Sequence, residues 1–373
     1  MSDLGTLREE LDALDRELLA LAKRRLDVVK NIGQLKHSSD SPLFHRERER
    51  DVYARARTIA DELELPPTVA ESLVQVLVDA SHDAQQMIGG AVCAEADCLS
   101  FLLVGGHGAM GRWFSALLSA RGHRVDCWEP GDPRTPARAA AGVHVVLLCV
   151  SMHAAVEVAR QWAPHVPETA VLCDINSLKE EICAVYESDA QCECVGLHPM
   201  FGPTVMGLRR QKVVVCEVRP GPGTERLLAE LGRMGAELVH ATPVEHDRMM
   251  AIVQVLVHYR TLAMGEALRR AGVPIARTLE FTSPIYRLEL AVTGRLFAQS
   301  AELYAAIEME NPQGEEIRAI FREAAEAVEA AIKHGDRGRF SAWFAEVSDY
   351  MGPFGEEAHL LSDLLIETLV ARP

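Results

Sequence analysis

Three groups of residues in this sequence have types and spacings that could carry chemistry. The first is a run of glycines. Gly106-His107-Gly108-Ala109-Met110-Gly111 follows the apolar stretch LSFLLVG and opens a helix-like segment. That is the spacing and setting of a turn that binds a dinucleotide. Gly106 would allow the tight turn, Gly108 would let backbone approach a pyrophosphate, and Gly111 would let helix and strand pack closely, with Met110 inside the same turn. The helix N-terminus that follows favours phosphate. Glu129 ends the next strand, 23 residues after Gly106. An acid there can bind the ribose hydroxyls and would repel a 2′-phosphate, which favours NAD over NADP. Arg134 and Arg138 lie nearby and pull the other way.

The second group is centred on His198, in GLHPMFGP, directly after the strand-like run ECVGL. Ligands collect at the C-terminal ends of strands in open α/β sheets. A neutral imidazole there could accept a proton near neutral pH. Taken alone, a histidine before proline is more often structural than catalytic.

The third group is cationic. Arg25 occupies the apolar seam of a long amphipathic stretch, where leucine is expected. Either its stem packs and its head snorkels to water, or the guanidinium turns inward and needs an anion. Lys36 lies eleven residues on, on the same face and about 16 Å along the axis. Ser81 and Gln85 share a face four residues apart, and Arg48 with Glu49 begin another helical stretch. Arg8 sits about 25 Å along the axis from Arg25, so it could reach the same small ligand only from a second copy of the chain.

These groups need elements to hold them. Leu4, Leu7, Leu11, Leu14, Leu18 and Leu21 repeat at spacings of three and four, and the register continues to Val28, Ile32 and Leu35. That predicts one helix of about nine turns. Ser38 to Pro42 break it, a second helix is expected from about Arg46 to Leu63, and a third begins near Thr68 after Pro66-Pro67. Helices of such unequal length close a core poorly alone, so a dimer is expected. From Leu99 the pattern changes to short apolar runs, LSFLLVGG, HRVDCWE, VHVVLLCVS, AVLCDI and ECVGLH, separated by helix-like stretches, and KVVVCEV and AELVHA add two further strands. This alternation reads as a parallel sheet covered by helices. After Pro243 the remaining residues read as helical. The expected division is 1–90, 98–242 and 243–373, with Gly89 to Asp97 as the linker.

The 373 residues, 48% of them hydrophobic, can fill sizeable cores. A net charge of −16 argues against nucleic-acid binding and requires any anion site to be locally basic. No apolar run is long enough to span a membrane, and the charged N-terminus has no signal core. Nine scattered cysteines, several in apolar runs, are expected as reduced thiols of a cytoplasmic protein. The pair Cys192 and Cys194 has no second pair to complete a metal site, and no metal is expected.

Residues 1–90 resemble the all-helical chorismate mutase domain of enteric bacteria, an intertwined helical dimer. The resemblance rests on Arg8 from the partner chain, Arg25, Lys36, Arg48, Glu49, Ser81 and Gln85. It implies that the arginines hold two substrate carboxylates, that Lys36 and Gln85 address the ether oxygen, and that Glu49 meets the ring hydroxyl. A Claisen rearrangement requires just such holding of a reactive conformer and donors aimed at the oxygen that gains charge. His45 stands where some relatives carry Asp.

GLHPMFGP, VEHDRMMA and SPIYRLELAVTGRLFAQ resemble bacterial prephenate dehydrogenases. The order of the parts is similar to the bifunctional chorismate mutase–prephenate dehydrogenases of tyrosine biosynthesis. That likeness implies a Rossmann-like NAD-binding domain followed by an all-α dimerisation domain. It implies His198 as the base to the ring hydroxyl and Arg295 as the carboxylate ligand. Ser177 and His258 would be further active-site residues, with Arg287 and Lys179 supporting. From spacing alone, Arg287 and Arg295 also fit a solvated helix face. Chorismate and prephenate are the implied substrates, and feedback by tyrosine is a further expectation. Thr204-Val205, Arg260 and Met264 depart from the enteric pattern. They leave open arogenate or 4-amino-4-deoxy analogues as substrates. A non-catalytic effector or redox sensor is the alternative from another class.

Overall fold

The computed structural model describes residues 4–38, 46–89 and 98–370. His45, one of the departures above, lies outside them. Two compact units emerge, one formed by residues 1–101 with 112–126 and the other by 102–111 with 127–373.

The N-terminal helices are α1 (Leu4–Ser38), α2 (Arg46–Glu62) and α3 (Pro67–Gly89). The periodic leucines do form one helix, about 50 Å long. Helix α3 packs on both α1 and α2, burying Ala56, Ala60, Ala70 and Val78. These small residues allow close approach but make a thin core. The leucine seam is not part of it: Leu4, Leu11 and Leu18 remain 65%, 60% and 59% exposed. This apolar stripe is exposed among the described residues, the kind of surface that marks an interaction site.

The sheet has seven strands in the order β2-β1-β3-β4-β5-β6-β7. They are β1 (Ser100–Val104), β2 (Arg124–Trp128), β3 (Val145–Leu148), β4 (Val171–Asp174), β5 (Glu193–Pro199), β6 (Lys212–Arg219) and β7 (Glu237–His240). Every residue of β1, β3 and β4 is buried, which is why these strands read as unbroken apolar runs. The connecting helices are α4 (Ala109–Ala120), α5 (Pro136–Ala139), α6 (Met152–Trp162), α7 (Glu180–Asp189) and α8 (Pro222–Arg233). Trp162 and Tyr186 are fully buried, with Leu102, Val146, Leu148 and Leu172, in one continuous core.

The sheet reverses direction between β5 and β6. β3, β4 and β5 run parallel, but β6 pairs antiparallel to β5, with His198 opposite Val214. The physical reason is the connection: residues 200–211 contain no helix, and a parallel neighbour requires a long crossover, usually helical.

The rest of the chain is helical: α9 (Pro243–Met250), α10 (Val257–Ala271), α11 (Ile275–Leu279), α12 (Pro284–Phe297), α13 (Ala301–Glu310), α14 (Gly314–Lys333), α15 (Arg337–Met351) and α16 (Phe354–Val370). The starts follow local chemistry. Thr242 and Ser283 cap α9 and α12 by accepting from Glu245 N and Tyr286 N, each with a proline in the first turn. Between α9 and α10, residues Ala251–Leu256 form a π-helical turn. Phe344, Tyr350 and Leu360 stay largely exposed on these helices. Among the described residues no helix is long and apolar enough to cross a membrane.

Candidate active site

The glycine turn leaves β1 and enters α4. Gly105, just before the predicted motif, carries the left-handed backbone, with φ at 79°. This corrects the role expected of Gly106, which is instead confined by the side chain of Cys127, 2.5 Å from where its Cβ would stand. Gly111 behaves as predicted: a Cβ there would meet the Gly105 and Gly106 backbone at 2.7 Å. The loop is tied to the next strand by its acid, since His107 N donates to Glu129 Oε1 at 2.6 Å. Arg134 is committed elsewhere, donating to Asp132 and to the Cys127 carbonyl. The backbone therefore forms a cradle that side chains would fill, with a carboxylate at its rim. Those features suit a dinucleotide.

His198 lies near the C-terminal end of β5 and is only 3% exposed. Its Nδ1 is 2.9 Å from His246 Nε2, and His246 Nδ1 is 2.6 Å from Asp247 Oδ1. Asp247 also accepts from the backbone N–H groups of Lys179 and Glu180, at 2.8 and 2.9 Å. These open α7, whose own N-cap residue offers no side-chain cap. The Asp247 carboxylate supplies that cap from a distant element, at the favourable end of the helix dipole.

The proton positions follow. Oxygens of a carboxylate accept, so His246 Nδ1 carries the hydrogen toward Asp247. In the neutral ring His246 Nε2 then holds a lone pair, and His198 Nδ1–H donates to it. His198 Nε2 is left as an acceptor, and the Gln254 amide nitrogen stands 3.3 Å from it. Gln254 belongs to the π-helical turn, a distortion found disproportionately at functional sites. Burial, the neighbouring His246 and the Lys179 ammonium all push the His198 pKa well down. The imidazole is neutral at neutral pH and able to take a proton.

Beneath it, Lys179 is wholly buried with its Nζ on Asp174. Asp174 also accepts from Asn176 N at 2.8 Å and from the Tyr186 hydroxyl at 3.3 Å. Ser177 is half-buried in the same β4–α7 connection. His258 on α10 is half-buried, with its ring 5.0 Å from Tyr304 on α13, and burial lowers its pKa. Burial raises the Tyr304 pKa while the charge of Arg295 opposes that rise, placing Arg295 within electrostatic reach. Arg287 and Arg295 are both exposed on α12, and neither forms an ion pair among the described residues. Arg260, one of the departures, is held by Glu289 at 3.2 Å.

In the helical unit, Arg25 and Ser81 come together. Arg25 Nη1 donates to the Leu77 carbonyl at 2.6 Å and to Ser81 Oγ. Burial lowers the Arg25 pKa, so the guanidinium is partly turned inward rather than snorkelled. Arg8 is exposed elsewhere on α1. The side chains of Lys36, Arg48, Glu49 and Gln85 lie outside the described residues.

The sequence reading missed His246, Asp247, Gln254, Asp174 and Tyr304. The segment Glu245-His246-Asp247-Arg248 has the composition of an exposed helix start, yet His246 and Asp247 are each only 1% exposed. Cys127, Cys149, Cys173, Cys183, Cys192, Cys194 and Cys216 are free thiols, whereas Cys98 departs from expectation in being disulfide-bonded. Cys192 and Cys194 place their sulfurs 3.9 Å apart. Among the described residues no three ligating side chains converge on a metal site.

Known families match along the chain in order. Chorismate mutase type II matches residues 7–86, the prephenate dehydrogenase nucleotide-binding domain 127–219, and the prephenate dehydrogenase dimerization domain 242–346. The T-protein of Haemophilus influenzae is 31% identical over 96% of this chain and 94% of its own length. The T-protein of Enterobacter agglomerans is 33% identical over 94% of each. A crystal structure of prephenate dehydrogenase from A. aeolicus, in complex with hydroxyphenyl propionate and NAD+, has the same fold. Its TM-score is 0.54 at 18% identity, over 68% of this chain and 96% of that one. Kinship of this extent, with a mutase and both dehydrogenase parts in sequence, is decisive: the chain belongs to the T-protein family of bifunctional chorismate mutase–prephenate dehydrogenases.

Proposed function

We propose that the chain converts chorismate to prephenate and then prephenate to 4-hydroxyphenylpyruvate, the second step by NAD-dependent oxidative decarboxylation, in tyrosine biosynthesis. The observation that carries this reading is the buried, neutral His198 with Nε2 left as an acceptor.

The first reaction belongs to residues 1–90. It needs no acid, base or nucleophile, only a dianion held in its reactive conformer. Arg25 and Arg48, with Arg8 from the partner chain, would hold the carboxylates. Lys36 and Gln85 would donate to the ether oxygen as it gains charge, with Glu49 on the ring hydroxyl and Ser81 orienting Arg25.

The second reaction belongs to 98–242 and 243–373 together. Gly106, Gly108, Met110 and Gly111 would hold the cofactor, with Glu129 on the ribose. When bound, NAD supplies the hydride acceptor. The engagement of Arg134 with Asp132 removes one counterweight to NAD over NADP. His198 Nε2 draws the hydroxyl proton as hydride leaves the same carbon, and loss of carbon dioxide then makes the ring aromatic. Arg295 would bind the substrate carboxylate, with Ser177, His258 and Arg287 around it.

The base also bears on the substrate. Hydride loss from a carbon bearing a hydroxyl leaves a protonated carbonyl, a very strong acid, unless a base takes the proton. Loss from a carbon bearing an amine leaves an iminium that needs no such help. A buried neutral imidazole therefore fits prephenate better than its 4-amino analogue. Homodimerisation through the uncovered leucine seam, a cytoplasmic setting and tyrosine feedback on the dehydrogenase are parts of the same proposal.

The test is direct. Purified protein given chorismate and NAD should yield NADH and 4-hydroxyphenylpyruvate. Prephenate should support a higher kcat/KM than arogenate or 4-amino-4-deoxyprephenate. His198→Asn should bind NAD normally yet lose about 100-fold or more in kcat. Turnover of chorismate with no NADH from prephenate would sink the dehydrogenase reading.

A further inference from the structure

We propose that His246 and Asp247 are positioning residues for His198, fixing its proton on Nδ1 and sharing the positive charge that forms when Nε2 takes the substrate's proton. This rests on the reading of His198 as the base. Three observations carry it. The contacts are linear in role as well as close: 2.9 Å from His198 to His246, and 2.6 Å from His246 to Asp247. With both rings neutral, one proton arrangement satisfies them, because the Asp247 oxygens accept from two backbone N–H groups and from His246. And Asp247 cannot turn away, since its side chain caps α7 while its carbonyl accepts from Asn311 Nδ2 at 3.0 Å.

Without such a link His198 would be poorly suited to its task. Burial, any positive charge on His246 and the Lys179 ammonium, itself bonded to Asp174, disfavour the imidazolium, so His246 supports it only as the neutral ring that accepts at Nε2. The nearby thiols of Cys183 on α7 and Cys216 on β6 are held neutral by burial, which pushes Cys216 up to about 12. Asp247 is thus the negative group connected to His198 through a hydrogen-bonded path. As Nε2 takes the proton, His198 Nδ1–H strengthens its bond to His246 Nε2, and His246 Nδ1–H strengthens its bond to Asp247. No covalent bond changes beyond the proton transfer at Nε2. The imidazolium is stabilised by two charge-assisted hydrogen bonds.

Two substitutions at one position separate this role from a structural one. His246→Gln offers an acceptor where Nε2 stood and keeps His198 oriented, but loses Asp247. His246→Asn keeps a donor for Asp247 but loses His198. Steady-state kinetics with prephenate and NAD should show kcat lowered about 10-fold in H246Q and about 100-fold in H246N. KM for NAD and for prephenate should stay within about threefold of the parent. The acid limb of kcat/KM should move to lower pH in both, because the protonated base has lost support. Unchanged kcat and an unchanged acid limb in both variants would overturn the proposal, as would a loss confined to KM. If His198→Asn itself retains turnover, the base assignment fails instead, so the two failures are distinguishable.

Discussion

Lys179 and Asp174 show what burial demands of single residues. Both side chains are inaccessible to water, and each is the other's charged partner. Breaking such a pair costs more than the pair contributes, because the survivor stays buried and charged. Asp174→Asn should therefore destabilise the dehydrogenase part by about 3–5 kcal/mol in urea unfolding, and Asp174→Asn with Lys179→Met should recover much of that loss. His198 adds a pH dependence. Its pKa is depressed from the ordinary 6.5, so below that pH the unfolded chain takes a proton that the folded chain resists. Stability at this site is complete above about pH 6.5 and is lost as pH falls toward the depressed value. Melting temperatures between about pH 7.5 and 5 should fall less steeply in His198→Asn than in the parent. His198 itself was legible from its place after a strand. His246 and Asp247 were not, since sequence shows residue type and spacing but not which polar side chains the fold encloses.

At the scale of elements, β1, β3 and β4 were visible as unbroken apolar runs, because strands buried on both faces leave no polar alternation to confuse them. The antiparallel turn-back at β6 was invisible, since direction depends on whether the connection holds a helix. The π-helical turn between α9 and α10 was invisible too. Its sequence, AIVQVL, reads as an ordinary helix interior. It carries one residue more per turn than an α-helix, and it brings Gln254 to His198. Deleting Val253 should restore regular helix and withdraw Gln254 from His198. Dehydrogenase turnover should then fall by at least about 10-fold while chorismate mutase activity stays unchanged, read by two separate assays on the same preparation.

The whole molecule carries apolar surface that a lone copy leaves in water. The stripe on α1 includes Leu11 and Leu18, both more than half exposed. Leu11→Glu with Leu18→Glu should abolish mutase activity, because Arg8 of a partner could no longer reach the site built around Arg25. NADH formation from prephenate should persist, and sedimentation should report any change in assembly. Retention of mutase activity in a variant that no longer pairs through this stripe would remove Arg8 from the site. The long helix was legible because its period is strict over many turns. Four of the seven residues assigned to the mutase site, Lys36, Arg48, Glu49 and Gln85, are assigned by the family resemblance.

The bond from Asn311 to the Asp247 carbonyl has a bearing on how this enzyme can be divided. A fragment ending at residue 242 would keep the nucleotide turn and His198. It would lose α9, the π-helical turn and Asn311, which follows α13. Such a fragment should behave as an inert receptor for dinucleotides. For exchange between genes, the heritable module is thus everything from residue 98 onward, and a recombination joint at 242 would separate the imidazole from what makes it useful.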